Sequence, residues 1–132
     1  IGLQTDLAID LPSVRALAER ALALDEMWHQ GALHEIMITL ESGGEMVGGS
    51  EARARKHFAR AVELQKGLSP GPYMALANGV SVANQQRAEF EDLMHKALAV
   101  DPETDPSNRL VILMARARAQ WQLDHMDSLF AK

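Results

Sequence analysis

Apolar residues recur with the helical period of 3.6 residues in six stretches of this chain, separated by turn-forming residues. The spacing predicts helices over residues 12–24, 26–40, 51–66, 73–80, 84–99 and 108–130. Pro12 and Pro72 fit the first position of a helix, and Ser50 fits the residue that caps a helix N-terminus. No segment alternates apolar and polar residues as a half-buried strand does, so the predicted fold class is all-α.

Each predicted helix has one apolar face, which we expect to lie in the core. The connections with most glycine and proline, residues 42–49 and 101–106, are predicted loops. The predicted inner residues include Val14 and Leu17 in the first helix, Trp28 in the second, and Leu110, Met114, Ala117 and Trp121 in the last.

Three of the predicted helices carry apolar residues at positions i, i+4 and i+7, and in each of them the residue at i+7 is an alanine. These alanines are Ala21, Ala61 and Ala97, at intervals of 40 and 36 residues. Ala54-x3-Phe58-x2-Ala61 has the spacing typical of the second helix of a tetratricopeptide repeat, in which a small residue lets helices approach closely. The pattern predicts tandem antiparallel helix hairpins, stacked as a tetratricopeptide-like right-handed α-solenoid or bundle, in a single domain over residues 1–132.

Composition narrows the classes of function. The net charge of −5 provides no domain-wide positive field, so we expect no nucleic-acid partner. The absence of cysteine excludes disulfides, thiolate chemistry and Cys-ligated zinc. No run of about 18 apolar residues is present, so the sequence predicts no transmembrane helix.

Several short strings stand in a distinctive order along the chain: Gly31-Ala32-Leu33-His34-Glu35, Gly48-Gly49-Ser50, Gly71-Pro72-Tyr73, Ala97-Leu98-Ala99-Val100-Asp101 and Arg116-x-Arg118-Ala119-x-Trp121. Taken in this order, they resemble the T-component family associated with tripartite ATP-independent periplasmic (TRAP) transporters. The resemblance extends over essentially the whole chain. The sequence departs from this family at Ala115, where relatives often carry a polar residue, and at Asn78, where an acid is common.

The resemblance implies a periplasmic lipoprotein of degenerate tetratricopeptide-like hairpins, with a leader and an N-terminal anchoring cysteine that are absent from this sequence. It implies an accessory component that associates with the substrate-binding protein of the system, the P component, in the uptake of an organic ligand. It also implies a homotrimer, and it brings no catalytic residues. The alternative is a general tetratricopeptide-like protein–protein scaffold that binds no small molecule.

Six residues are candidate contacts for a ligand or a partner. Trp28, Tyr73 and Phe90 could line an apolar cavity together with several methionines, whereas Trp28 and Trp121 could instead fill gaps between helices. Arg109 and Arg116 could bind a ligand carboxylate in a bidentate manner or could form structural ion pairs. An apolar ligand and an organic acid therefore both remain open.

We expect neither a metal site nor a cofactor, and we expect no catalysis. His29 and His34 are five residues apart, so they point in different directions on a helix, and no second ligand follows His34-Glu35 at the required spacing. We expect His34 at the surface or at a helix cap, and His57 in solvent. The glycine-rich stretch before Ser50 lacks the lysine of a phosphate-binding loop, and no motif positions a nucleophile.

Overall fold

A computed structural model of the protein describes the backbone of residues 2–132 and the side chains from Ile9 onward. This part of the chain contains six α-helices and no β-strand, which confirms the all-α prediction. A π-helical turn, Ala77–Ser81, extends the fourth helix. The helices are α1 (Gly2–Leu24), α2 (Ala32–Glu41), α3 (Glu51–Leu64), α4 (Gly71–Leu76), α5 (Arg87–Leu98) and α6 (Arg109–Asp124).

Two of the predicted helix starts are confirmed by local chemistry. The hydroxyl of Ser50 accepts a hydrogen bond from the backbone N–H of Arg53 at 3.3 Å and so caps α3. Pro72 lies in the first turn of α4, where its missing N–H has no partner to lose.

Three other predicted starts are wrong. Pro12 lies inside α1, because the residues before it extend the helix N-terminally in spite of the lost hydrogen bond. The second helix begins at Ala32 instead of residue 26, because His29, Gln30 and Gly31 have left-handed φ angles of 50°, 58° and 84°. The fifth helix begins three residues late for the same reason, since Gln85 has a φ of 54°.

Consecutive helices pack against each other from α1 to α6, and α2 also contacts α4. Every helix from α2 onward contributes side chains to a shared core, and these side chains have almost no exposed surface. The largest of these are Phe90, Met37, Ile38, Leu76 and Met94. The core is therefore built by α2 to α6, and α1 packs against α2.

The alanines of the predicted repeat differ in their burial. Ala61 and Ala97 have no exposed surface, as expected for small residues at helix contacts, whereas Ala21 is only partly buried. Val14 and Leu17, which were predicted to face the core with Ala21, are exposed on α1. The prediction of an inner face is thus wrong for these two residues, whereas Ala18 on the same helix is buried.

A buried carboxylate joins three parts of the fold. Glu41, at the end of α2, is 2% exposed and accepts hydrogen bonds from Arg15 Nη1 at 2.7 Å and Arg53 Nε at 3.0 Å. It also accepts one from the backbone N–H of Ser50 at 2.9 Å. Glu41 therefore ties α1 and the start of α3 to the C-terminal end of α2.

Candidate functional site

A cavity of about 990 Å³, about twice the volume of a groove between α1, α2 and α3, lies where three connections meet. Its walls come from the left-handed turn before α2, the connection between α3 and α4, and the start of α6. The exposed surface of its walls is mostly apolar, although ten of the 19 lining residues carry polar side chains, and its volume is within the range of small-molecule sites. The apolar lining residues are Met27, Ala32, Leu64, Leu68, Pro70, Val111, Ile112 and Ala115.

Two polar side chains line this cavity and bind each other. Gln65 Nε2 donates a hydrogen bond to Glu35 Oε1 at 2.7 Å. Gln65 is 7% exposed, and its Oε1 has no hydrogen-bond partner among the described residues. Burial raises the pKa of Glu35, and the hydrogen bond from Gln65 offsets this only in part.

Gly71 makes room for the Glu35 carboxylate. A Cβ atom at position 71 would overlap both oxygens of that carboxylate, so a side chain there would displace it. The conformation of Gly71 is ordinary, and its lack of a side chain is what this position requires. The placement of Glu35 thus depends on the first residue of α4.

A second, smaller groove of about 500 Å³ lies between α1, α2 and α3 and contains a histidine pair. His34 Nδ1 is 2.8 Å from His57 Nδ1, and His34 Nε2 is 3.0 Å from Glu26 Oε1. Hydrogen bonds from Arg60 and then from His34 lower the pKa of Glu26 to about 2. The prediction that His34 lies at the surface or at a helix cap is wrong, because these polar partners satisfy it within the groove.

His57 is half-buried, so the prediction of a solvent environment holds only in part. Desolvation by burial, together with the nearby His34, lowers the pKa of His57. At 2.8 Å, only one of the two facing nitrogens can carry a proton. Within the described residues, no three His, Asp or Glu side chains are grouped so that they could hold a metal ion.

An apolar stripe runs along the exposed face of α6. Leu110, Met114 and Trp121 are 70%, 64% and 59% exposed, and the exposed Ala117 lies between them. These four positions follow the spacing i, i+4, i+7 and i+11, so they share one face of the helix. The prediction that they face the core is therefore wrong, since the opposite face of α6 provides the buried Ile112 and Ala119.

The six candidate residues do not share one site. Phe90 is fully buried in the core against Phe130, and Tyr73 is packed edge-to-face against Phe58 at a ring-centroid distance of 5.9 Å. Neither lines the larger cavity. The interpretation that the aromatic residues line an apolar cavity is thus not supported for these two.

The two tryptophans and two arginines lie at four other places. Trp28 is exposed beside His29, so it does not fill a gap between helices, and Trp121 is stacked on His125 at a centroid distance of 4.2 Å. Arg109 forms an ion pair with Glu103 at 2.6 Å, and Arg116 is half-buried on α6. Contact of these residues with a ligand or a partner stays a prediction.

Sequence reasoning missed Glu35 and Gln65, which lie 30 residues apart. One signal was available, because Glu35 falls on α2 between apolar residues that were predicted to face the core. The partner of Glu35 depends on how α2 and α3 align, which no local pattern indicates. Gly71 could also have indicated a position where another group approaches the backbone closely, but a glycine before a proline is usually explained by a turn.

Comparison with known proteins places this architecture in a family. The model of the family described as TRAP transporter T-component matches residues 3–130. An uncharacterized protein of Treponema pallidum (strain Nichols) is 26% identical over 115 residues, which are 86% of this chain and 36% of that protein. The chain thus spans about a third of the length of this relative. Within the described residues, no helix is both long and apolar enough to cross a membrane.

Proposed function

The chain belongs to the TRAP transporter T-component family, and from this membership we propose that it is an accessory component that binds the P component of a periplasmic uptake system and holds an organic ligand. The family is a transporter component and not an enzyme family. The proposal places the chain in the periplasm. It also includes a stack of tetratricopeptide-like hairpins in a single domain, for which the buried Ala61 and Ala97 and the sequential helix packing are the support.

The observation that carries the proposed partner binding is the apolar stripe on α6, formed by Leu110, Met114, Ala117 and Trp121. Monomeric proteins seldom expose a continuous apolar row, and such rows mark contacts with other proteins. Trp121 is rigid and large, and tryptophan is enriched among the residues that dominate binding energy. The stripe thus fits a groove or pocket on the surface of the P component.

The support for a ligand is the cavity between the turn before α2 and the start of α6. The cavity and the stripe are separate features, since Leu110, Met114 and Trp121 do not line the cavity. Both features use α6, because Val111, Ile112 and Ala115 line the cavity. A partner on the outer face of this helix would therefore lie close to the mouth of the cavity.

Titration of the chain with a P component from the same organism tests the partner contact. We expect Trp121→Ala to weaken binding by at least about tenfold, which corresponds to about 1.4 kcal/mol. Trp28→Ala is the matched control, because Trp28 is also exposed but lies outside the stripe, and its affinity should stay within about twofold. Absence of binding by the unaltered chain, or a larger loss for Trp28→Ala than for Trp121→Ala, would contradict the proposal.

A further inference from the structure

The larger cavity has a polar centre that lacks a donor. Glu35 and Gln65 are its polar pair, and the single hydrogen bond between them uses Gln65 Nε2 and Glu35 Oε1. This leaves Gln65 Oε1 without a partner in a nearly buried side chain. A buried carbonyl oxygen without a donor is destabilising, so the arrangement favours any molecule that brings one.

The charge at this centre is negative and is not balanced by a neighbouring cation. Among the described residues, the ion pairs include none with Glu35. Of the other titratable groups that line the cavity, His29 and Lys66 are exposed, and Asp105 adds a second carboxylate. A half-buried carboxylate with no cation beside it is costly, and a cation placed next to it removes much of that cost.

An ammonium group meets both requirements together. It has two or three N–H donors, so it can donate to Glu35 and, once the Gln65 side chain turns so that its buried Oε1 faces the cavity, to Gln65 Oε1 as well. Its charge is opposite to that of Glu35. A ligand carboxylate would instead meet a like charge and would give Gln65 Oε1 no donor. The apolar walls around this centre suit a hydrocarbon body.

We propose that the cavity binds an organic cation, in which a primary or secondary ammonium group lies between Glu35 and Gln65 and an apolar body contacts Leu64, Pro70 and Ile112. The proposal rests on the proposed function, in which the chain holds an organic ligand, and it specifies the class of that ligand. The absence of a side chain at Gly71 leaves the space that the Glu35 carboxylate occupies in this contact.

Three probes of equal chain length separate the ligand classes: hexylamine, hexan-1-ol and hexanoate. Each is titrated calorimetrically into the chain alone at neutral pH, without the P component. We expect hexylamine to bind at least about tenfold more tightly than either of the others, since only the ammonium pairs with Glu35. Equal or tighter binding of hexanoate or hexan-1-ol would overturn the amine class while leaving an organic ligand in place. Absence of heat for all three would overturn the proposal as well.

Variants locate the binding of hexylamine. Glu35→Gln keeps the shape of the side chain and removes its charge, and we expect it to weaken binding by at least about tenfold. Gly71→Ala should weaken it too, because the new Cβ displaces the carboxylate. Glu63→Gln is the matched control, since Glu63 is exposed near the end of α3 and lies outside the cavity lining. Binding by Glu35→Gln within about twofold of the unaltered chain would overturn the assignment.

These titrations and those with the P component can fail independently. The probes are added to the chain alone, so loss of partner binding in Trp121→Ala should leave the affinity for hexylamine unchanged. Conversely, Glu35→Gln should leave the titration with the P component unchanged. Circular dichroism of each variant establishes that it has the helix content of the unaltered chain.

Discussion

Replacement of Glu41 by alanine should destabilise the protein more than replacement of any exposed acid. The carboxylate accepts three hydrogen bonds, from Arg15, Arg53 and the backbone of Ser50. Its removal leaves Arg15 largely buried without its carboxylate partner, and breaking a buried ion pair in this way costs about 3–5 kcal/mol. We expect the lower end, about 3 kcal/mol, because the half-exposed Arg53 can be hydrated again.

Urea unfolding followed by far-UV circular dichroism measures this change. For a chain of 132 residues, a loss of about 3 kcal/mol corresponds to a fall in Tm of about 10 °C. Glu91→Ala is the matched control, because Glu91 is exposed on α5 and its nearest partner, His95, is 3.9 Å away. The control should stay within about 0.5 kcal/mol of the unaltered chain. A loss below about 1 kcal/mol for Glu41→Ala would refute the reasoning that the carboxylate ties three elements together.

The same variant tests the pKa of Glu41. Desolvation is the largest single effect and raises this pKa, but hydrogen bonds from Arg53 and Arg15 outweigh it, and the pKa lies below its ordinary value of 4.5. A lowered folded-state pKa means that the stabilisation is complete above about pH 4.5 and is lost as the pH falls through the lower value. The difference in stability between the unaltered chain and Glu41→Ala should therefore shrink in acid. A difference that does not change with pH would contradict this assignment.

Three further predictions concern stability. His57 has a lowered pKa in the folded chain, so the unfolded chain takes up this proton first and stability should fall as the pH drops below about 6.5. In a pH series of urea titrations, His57→Gln should reduce the slope of the unfolding free energy against pH. An unchanged slope would exclude His57 as its source. Gly31→Ala should destabilise the protein by more than the roughly 1–2 kcal/mol expected for Gly48→Ala. Both glycines have left-handed φ angles, but only a Cβ at Gly31 would lie 2.9 Å from the Leu64 side chain. Equal losses of stability in thermal unfolding would contradict this. Ala97→Leu should lower the free energy of unfolding by about 1–3 kcal/mol, because it overfills a fully buried position. The control Ala99→Leu, at an exposed position, should be nearly neutral. An Ala97→Leu variant with unchanged stability in urea unfolding would exclude close packing at this position.

Local chemistry determined the parts of the fold that could be predicted from the sequence. A capping serine or a proline in the first turn acts within four residues, so Ser50 and Pro72 indicated the starts of their helices. The start of α2 could not be predicted in the same way. His29 and Gln30 have ordinary helix propensity, and their left-handed conformation is recognisable only in the folded chain.

Periodicity identified which residues share a helix face but not what that face contacts. Leu110, Met114 and Trp121 do form one row on α6, as their spacing predicted, yet the row lies on the outer side. A core position and a surface for another protein need the same apolar residues, so the pattern is the same for both. The missed pair of Glu35 and Gln65 has a related cause, because it depends on tertiary contacts between α2 and α3.

Hydrogen–deuterium exchange of the chain, alone and saturated with the P component, reports where the partner binds. We expect added protection to be concentrated in the peptides of α6 that contain Met114 and Trp121, and we expect the turn around Trp28 to exchange as before. Protection confined to α1 or to the turn around Trp28, or no change anywhere in the chain, would contradict the claim that the outer face of α6 is the partner surface.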